Sequence, residues 1–345
     1  MNLARFNLFV SLLSLLALCS CAPTQWDMQI NRHNGMVWPP PPNPVKAEYL
    51  GELTSFVPVG KSVASILFGA EEQGRIQKPV AVAVGADGRI AIADGQLQGV
   101  HFFIPHKKKY LLLNLASKTS LVSPVGVAFD DDLTLYVTDS VLAKIFVFDL
   151  DGKYVDEIAV AGNDALQRPT GITFHEPRKL LYVADTLANK IYFFGEKREF
   201  LGSFGKRGEK NAEFNFPTHL STDTEGRILV NDTMNFRLQV FSVPDRFVTL
   251  FGHHGDGSGD FAMPKGVAAD RWGVFYVAEP LFDCLQVFNI HGDYLMSIGN
   301  KGTGLGEFWM PSGIFIDRQD KLYVCDTYNK RVQIFQLYDL SSGGL

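Results

Sequence analysis

Only four cysteines occur in 345 residues, and two of them, Cys19 and Cys21, lie close to the N-terminus. Cys284 and Cys325 alone remain for the folded body, too few for a disulfide framework. Cys325 falls at a small inward strand position, so buried free thiols are expected rather than a bridge. No CxxCH run occurs, which excludes covalently attached c-type haem. Basic residues are outnumbered 32 to 37, for a formal net charge of −5. Such a chain has little to offer a nucleic-acid backbone. The clusters Lys107-Lys108-Lys109 and Lys206-Arg207 read as solvated turns on opposite faces. After residue 21 no stretch approaches the roughly 18 consecutive apolar residues of a membrane span, so the body reads as soluble. What is present is ample core material, with 46% hydrophobic residues and 27 phenylalanines.

The N-terminus, MNLARFNLFVSLLSLLALCSCAP, carries one positive charge (Arg5), an apolar run and then small residues. That is the pattern of a secretory signal over residues 1–20. Leu18-Cys19-Ser20-Cys21 resembles a bacterial lipobox, with lipidation expected at Cys21; Cys19 fits less well, because Leu18 would take the small-residue place. Ala22 after the cysteine points to the outer membrane rather than the inner. Residues 21–48, with MVWPPPPNPVK near the end, read as an extended spacer.

The remainder repeats. Pro79, Pro124, Pro169, Pro217, Pro264 and Pro311 are spaced 45, 45, 48, 47 and 47 residues apart. Each is followed by a short β-rich run, a turn, and a second run ending in an acid: Asp94, Asp139, Asp185, Asp232, Glu279 and Asp326. Six residues further comes an aliphatic and nine further a phenylalanine, Phe103 through Phe335. An acid needed six times is architecture, because a catalytic group is needed once. Its expected task is to accept turn amides and to pair with the cation five residues on (Lys144, Lys190, Arg237 or Arg331). Four short strands per unit of about 45 residues is the period of a propeller blade. The sixth unit lacks a convincing fourth strand. YLGELTSF (49–56) resembles the fourth-strand sequence EFLGSF and is expected to close the ring. Residues 57–78 then cross to blade one, with a short helix near KSVASILFG. The propeller is thus expected over 49–340, with 341–345 a tail.

The segments YVADTLANKIYFF, VNDTMNFRLQVF and YVCDTYNKRVQIF, with the loops FGKRGEKNAEFNFP, FGHHGDGSGDFAMP and IGNKGTGLGEFWMP, resemble NHL-repeat six-bladed propellers. The resemblance covers most of residues 79–337 and implies an all-β fold of four-stranded blades. It does not imply an activity, since such propellers serve as binding platforms and sometimes as enzymes.

Departures from the repeat mark candidate positions. His219 stands where four blades have glycine. Glu279 replaces Asp, and Pro280 and Cys284 replace its usual turn residue and cation. His253 and His254 lie in the loop between blades four and five. Asn231, one residue before Asp232, invites comparison with lactonase-type propellers, which hold a divalent cation with carboxylates and an asparagine. NHL-like lyases that cleave peptidylglycine intermediates use several channel histidines, whereas one blade offers one here. All five residues are expected on the face that carries the loops entering each blade. Gly-rich GDGSGD does not join a strand to a helix and is no phosphate cradle.

The reading is an exported, lipid-anchored, monomeric propeller acting as a non-catalytic binding or scaffold module. Its partner would be an envelope protein, polymer or small ligand. No cofactor or metal is implied, and membrane contact is through the anchor alone. The alternative is a metal-dependent hydrolase or lyase using the face around His219 and Glu279.

Overall fold

The computed structural model describes residues 24–33, 35–60 and 74–339. The signal segment, Cys21, the helix expected near 61–69 and the tail 341–345 lie outside the described residues. Five blades are four-stranded antiparallel sheets whose strands follow in chain order. Blade three shows the plan: Pro169–His175 innermost, then Leu180–Asp185, Lys190–Phe194 and Phe200–Phe204. β-branched and aromatic residues on both faces suit such strands, because each sheet is covered on both sides by its neighbours. Buried residues therefore gather into six clusters, each shared by two adjacent blades, including that between blades six and one. The repeated phenylalanines fill them.

Blade six comprises Pro311–Ile316, Lys321–Asp326 and Arg331–Leu337, and its fourth strand is Ala47–Pro58. Ala47 pairs with Leu337 and Leu53 with Val332, so the N-terminal strand closes the ring. Glu52 lies 2.6 Å from the Arg331 guanidinium across that seam.

Residues 24–33 and 35–48 are not simply a spacer. Trp26–Arg32 adds an outer strand to Ala47–Pro58, and Val37–Trp38 pairs with Ala47 and Glu48. The Trp38 ring meets Phe335 edge-on at 5.6 Å. The aromatic side chain flanking the prolines, ignored when the segment is read by its backbone, docks the segment onto blade six.

The repeated acids carry the loop geometry. All six are fully buried. Asp185 accepts from the amides of Gln167 and Arg168 at 2.7 and 2.9 Å and from Ala188 at 3.1 Å. Asp94 and Asp139 grip the corresponding loop amides. Asp232 and Asp326 hold Asn215 and Trp309 and add side-chain donors. Each acid thus fastens the loop entering its blade to the turn leaving the second strand, satisfying amides that no strand reaches.

The expected ion pairs hold in two blades of four. Arg237 pairs with Asp232 and Arg331 with Asp326, each at 2.8 Å. Their remaining nitrogens bond carbonyls of the preceding glycine-rich loop, Glu209, Lys210 and Glu213 for Arg237 and Gly304 and Glu307 for Arg331. Lys144 and Lys190 turn away to Glu157 and Asp164. A lysine has one nitrogen and cannot bridge an acid and two carbonyls as a guanidinium fork does.

Candidate functional site: a central cavity

The six innermost strands surround a channel. At the second residue after the repeat proline, a β-carbon on Gly126, Gly171, Gly266 or Gly313 would collide with backbone of the next blade. Glycine there lets adjacent inner strands approach closely. Blade four departs from this with His219, paired across its sheet with Asn231.

A cavity of about 620 Å³ occupies the channel, bounded by His219 at depth and by the turns between first and second strands at its mouth. It therefore opens on the face opposite to the one the sequence suggested. Val127, Ile172, Leu220 and Ile314 contribute apolar wall, and Ser221 contributes a hydroxyl whose recorded bond is a long one to the carbonyl of Thr222. Across the mouth, Arg318 of blade six pairs with Glu176 of blade three, its opposite in the ring. Arg271 steadies that loop through the Arg318 carbonyl at 2.7 Å and Asp320 at 2.6 Å.

Much of the mouth's acidity belongs to a second repeated carboxylate that the sequence reading missed. Asp130, Asp223, Asp270 and Asp317 each lie six residues after a repeat proline. Each accepts amides of its own turn, and Tyr136, Tyr276 and Tyr323 donate to three of them. Burial pushes the Asp270 carboxyl up to about 6 against those bonds. Blade three puts His175 at this place, where Nδ1 accepts from the Arg178 amide. The proline count would have revealed this position.

His219 is the one sequence-proposed residue that meets the cavity. Its Nδ1 lies 3.1 Å from the Thr218 hydroxyl. Desolvation, with the Lys265 charge second, pushes its pKa down to about 3, so the imidazole is neutral at physiological pH. A base that weak has little driving force to take a proton near pH 7.

The other four lie elsewhere. Glu279 is fully buried and accepts from the amides of Ala262, Met263 and Leu281 at 2.9–3.3 Å. Burial raises its pKa, and it does the same loop-fastening work as the aspartates without a paired cation. Asn231 donates to the Lys265 carbonyl of blade five; among the described residues its Oδ1 has no partner. In blade two Thr138 makes the matching bond to the Thr170 carbonyl of blade three, so Asn231 ties neighbouring blades. His253 pairs with Asp260 inside its own exposed loop at 2.6 Å. His254 rests against the Phe236 ring at 4.4 Å. Among the described residues no three His, Cys, Asp or Glu side chains cluster closely enough to hold a metal ion. Cys284 and Cys325 are buried and unbridged.

A family model described as a 6-bladed beta-propeller matches residues 273–343, the last three strands of blade five and the three C-terminal strands of blade six. The chain is a six-bladed β-propeller. Solved structures of the same shape include virginiamycin B lyase from Staphylococcus aureus, at 13% identity and TM-score 0.57, covering 76% of this chain and 96% of that one. A gluconolactonase from Xanthomonas campestris matches at 14% identity and TM-score 0.59, covering 90% and 100%. An auxiliary nutrient binding protein from Bacteroides thetaiotaomicron matches at 11% and 0.58, covering 76% and 70%. At these identities the likeness concerns the fold alone.

His219 gives a pH signature. Its pKa is about 3 when folded and about 6.5 when unfolded, so the unfolded chain binds more protons between those values. Stability from the neutral ring is complete above pH 6.5 and is lost as pH falls toward 3. The full linkage is about 4–5 kcal/mol; because the ring meets the cavity, we expect about 2–3 kcal/mol. Denaturant melts should show this acid loss in wild type and a shallower loss in His219→Ala. Equal slopes would mean that the ring is solvated.

Proposed function

We propose that this propeller is an exported, lipid-anchored, NHL-type binding module that takes a small ligand, or the end of a polymer or peptide, into the central cavity. The carrying observation is that the repeated carboxylates are occupied with loop amides, while the cavity at the axis is lined by both apolar and polar groups that this architecture does not use. Convergence of apolar wall and a few polar groups is the usual composition of a ligand site. The neutral His219 is suited to orient a ligand by a hydrogen bond rather than to move protons. The similar structures include a nutrient-binding protein as well as enzymes, consistent with a fold that hosts either. The alternative, a metal-dependent hydrolase or lyase using the channel face around His219 and Glu279, draws less support, because Glu279 accepts loop amides and does not line the cavity.

Two experiments test this. Native mass spectrometry of the protein isolated from its own envelope should show a bound molecule in wild type. That molecule should be absent from Ser221→Trp, whose indole would occupy the cavity. Equal retention by a folded Ser221→Trp protein would place the ligand elsewhere. For the anchor, Cys21→Ser should move the protein from the membrane to the soluble fraction, because the acyl attachment atom is gone. Persistent fatty-acid labelling of that variant would refute the lipidation site.

A further inference from the structure

The turn after each second strand begins with the buried acid, and the residue two places on is its tip. Tips of tight turns normally carry Gly, Asn, Asp or Ser. Here five of six blades present an apolar or aromatic side chain: Val141, Leu187, Met234, Leu281 and Tyr328, with Gln96 in blade one. All five are 46–65% exposed, so none serves the core. By the symmetry of the fold they lie on one face, opposite the cavity mouth.

Backbone contacts knit these tips into a belt. The Met310 amide donates to Asp283 in the turn that carries Leu281, and the Tyr328 amide donates to the Trp309 carbonyl. Trp309, itself exposed, stacks on Tyr328 with ring centroids 5.5 Å apart, and Lys78 sits over the same tyrosine at 5.9 Å. The same links join blades three and four, where Phe216 reaches Asn189 and Met234 reaches Asn215. Exposed apolar tips repeated on one face in five blades, with a stacked Trp309–Tyr328 pair among them, are more than the scattered single apolar residues of an ordinary surface.

We propose that this face docks a protein segment that is both apolar and acidic. The charge beside the belt selects the occupant. Among the described residues, neither the Lys78 nor the Lys265 side chain has a hydrogen-bond or ion-pair partner. Burial and the Lys78 charge lower the Lys265 pKa against the smaller opposing pull of Glu279, so the two cations feel one another, and a further carboxylate beside Lys78 would relieve both. A second copy of this face would set those lysines against themselves. The bordering loops expose Lys206, Arg207, Lys210 and Lys301 beside Glu209 and Asp256. The rim is thus mixed with basic residues in excess, which suits a mixed acidic protein surface, and vesicle binding is the test's contrary outcome. Stacked Trp and Tyr are side chains that anchor protein interfaces. This surface is independent of the cavity and of the ligand proposed for it.

The test uses the full chain and defined probes: a labelled amphipathic peptide of Leu and Glu, its Leu and Lys counterpart, and phosphatidylglycerol vesicles. The acidic peptide should bind, and the basic one should bind at least tenfold more weakly. The triple variant Leu281→Ser, Trp309→Ser, Tyr328→Ser should lose at least tenfold in affinity for the acidic peptide. Lys78→Glu with Lys265→Glu should do the same and remove the salt dependence. Leu281, Trp309 and Tyr328 do not line the cavity, so the triple belt variant should keep the molecule retained there. Lys265 acts on His219, so the lysine variant is read by peptide binding alone. The proposal is overturned if both peptides bind alike, if the belt variants bind like wild type while folded, if vesicles alone bind through the belt, or if the face instead makes dimers.

Discussion

A chain shortened to begin at Val59 is expected to aggregate and to lose its single cooperative unfolding transition. The shortening removes Ala47, Tyr49, Leu53 and Phe56, all fully buried between blade six and its neighbours. At about 1.5–3 kcal/mol for each large apolar side chain, the loss is roughly 5–8 kcal/mol. That is comparable to the whole stability of a typical domain. It also strips the partner strand from Arg331–Leu337, exposing an unpaired edge, and takes Glu52 from the nearly buried Arg331. Size-exclusion chromatography and denaturant melts would show the effect. A synthetic peptide of residues 45–60 should partly restore the transition. A monomeric truncated chain that melts with wild type would show that the ring closes without this strand.

Removing the repeated acid should have graded effects, with Asp326→Ala the most damaging. Asp326 holds the Trp309 amide and, through Oδ2, Asn329, Arg331 and Gln333 at 2.8–2.9 Å. Its loss leaves a buried guanidinium short of its carboxylate, a change costing about 3–5 kcal/mol. Asp185→Ala forfeits loop amides alone, about 1–3 kcal/mol. Glu279→Ala should cost least, because burial already disfavours its charge and no cation is bonded to it, Lys265 acting on it only weakly through space. Melting all three variants gives the order. A Glu279→Ala protein with wild-type stability and no ligand binding would return that residue to the functional site.

The sequence carried the blade count, the closing strand and the role of the repeated acid, because each is written several times at a fixed spacing. His219 was legible for the opposite reason: it breaks a column of glycines, and the structure places it against the cavity. Glu279 and Asn231 also break their columns, yet both perform the column's own task with another side chain. Sequence departure alone could not separate those outcomes, since the difference lies in which way the side chain faces. The side of the channel that opens was illegible as well. It depends on contacts made only when opposite and adjacent blades close into a ring, such as those among Glu176, Arg318 and Arg271 at the mouth. Trp38 escaped notice because its neighbours are prolines, and only the folded blade supplies Phe335 for it to cover.

The most direct measurement is the rise in melting temperature caused by the molecule that native mass spectrometry releases from the protein. It should be recorded on wild type, Ser221→Trp and Glu279→Ala. A ligand held in the cavity stabilises the folded state by mass action, by about 2.7 kcal/mol at a hundredfold excess over Kd. Wild type and Glu279→Ala should therefore show the same rise from their different starting temperatures, and Ser221→Trp should show none. A rise lost in Glu279→Ala and kept in Ser221→Trp would contradict both the architectural reading of the acids and the placement of the site.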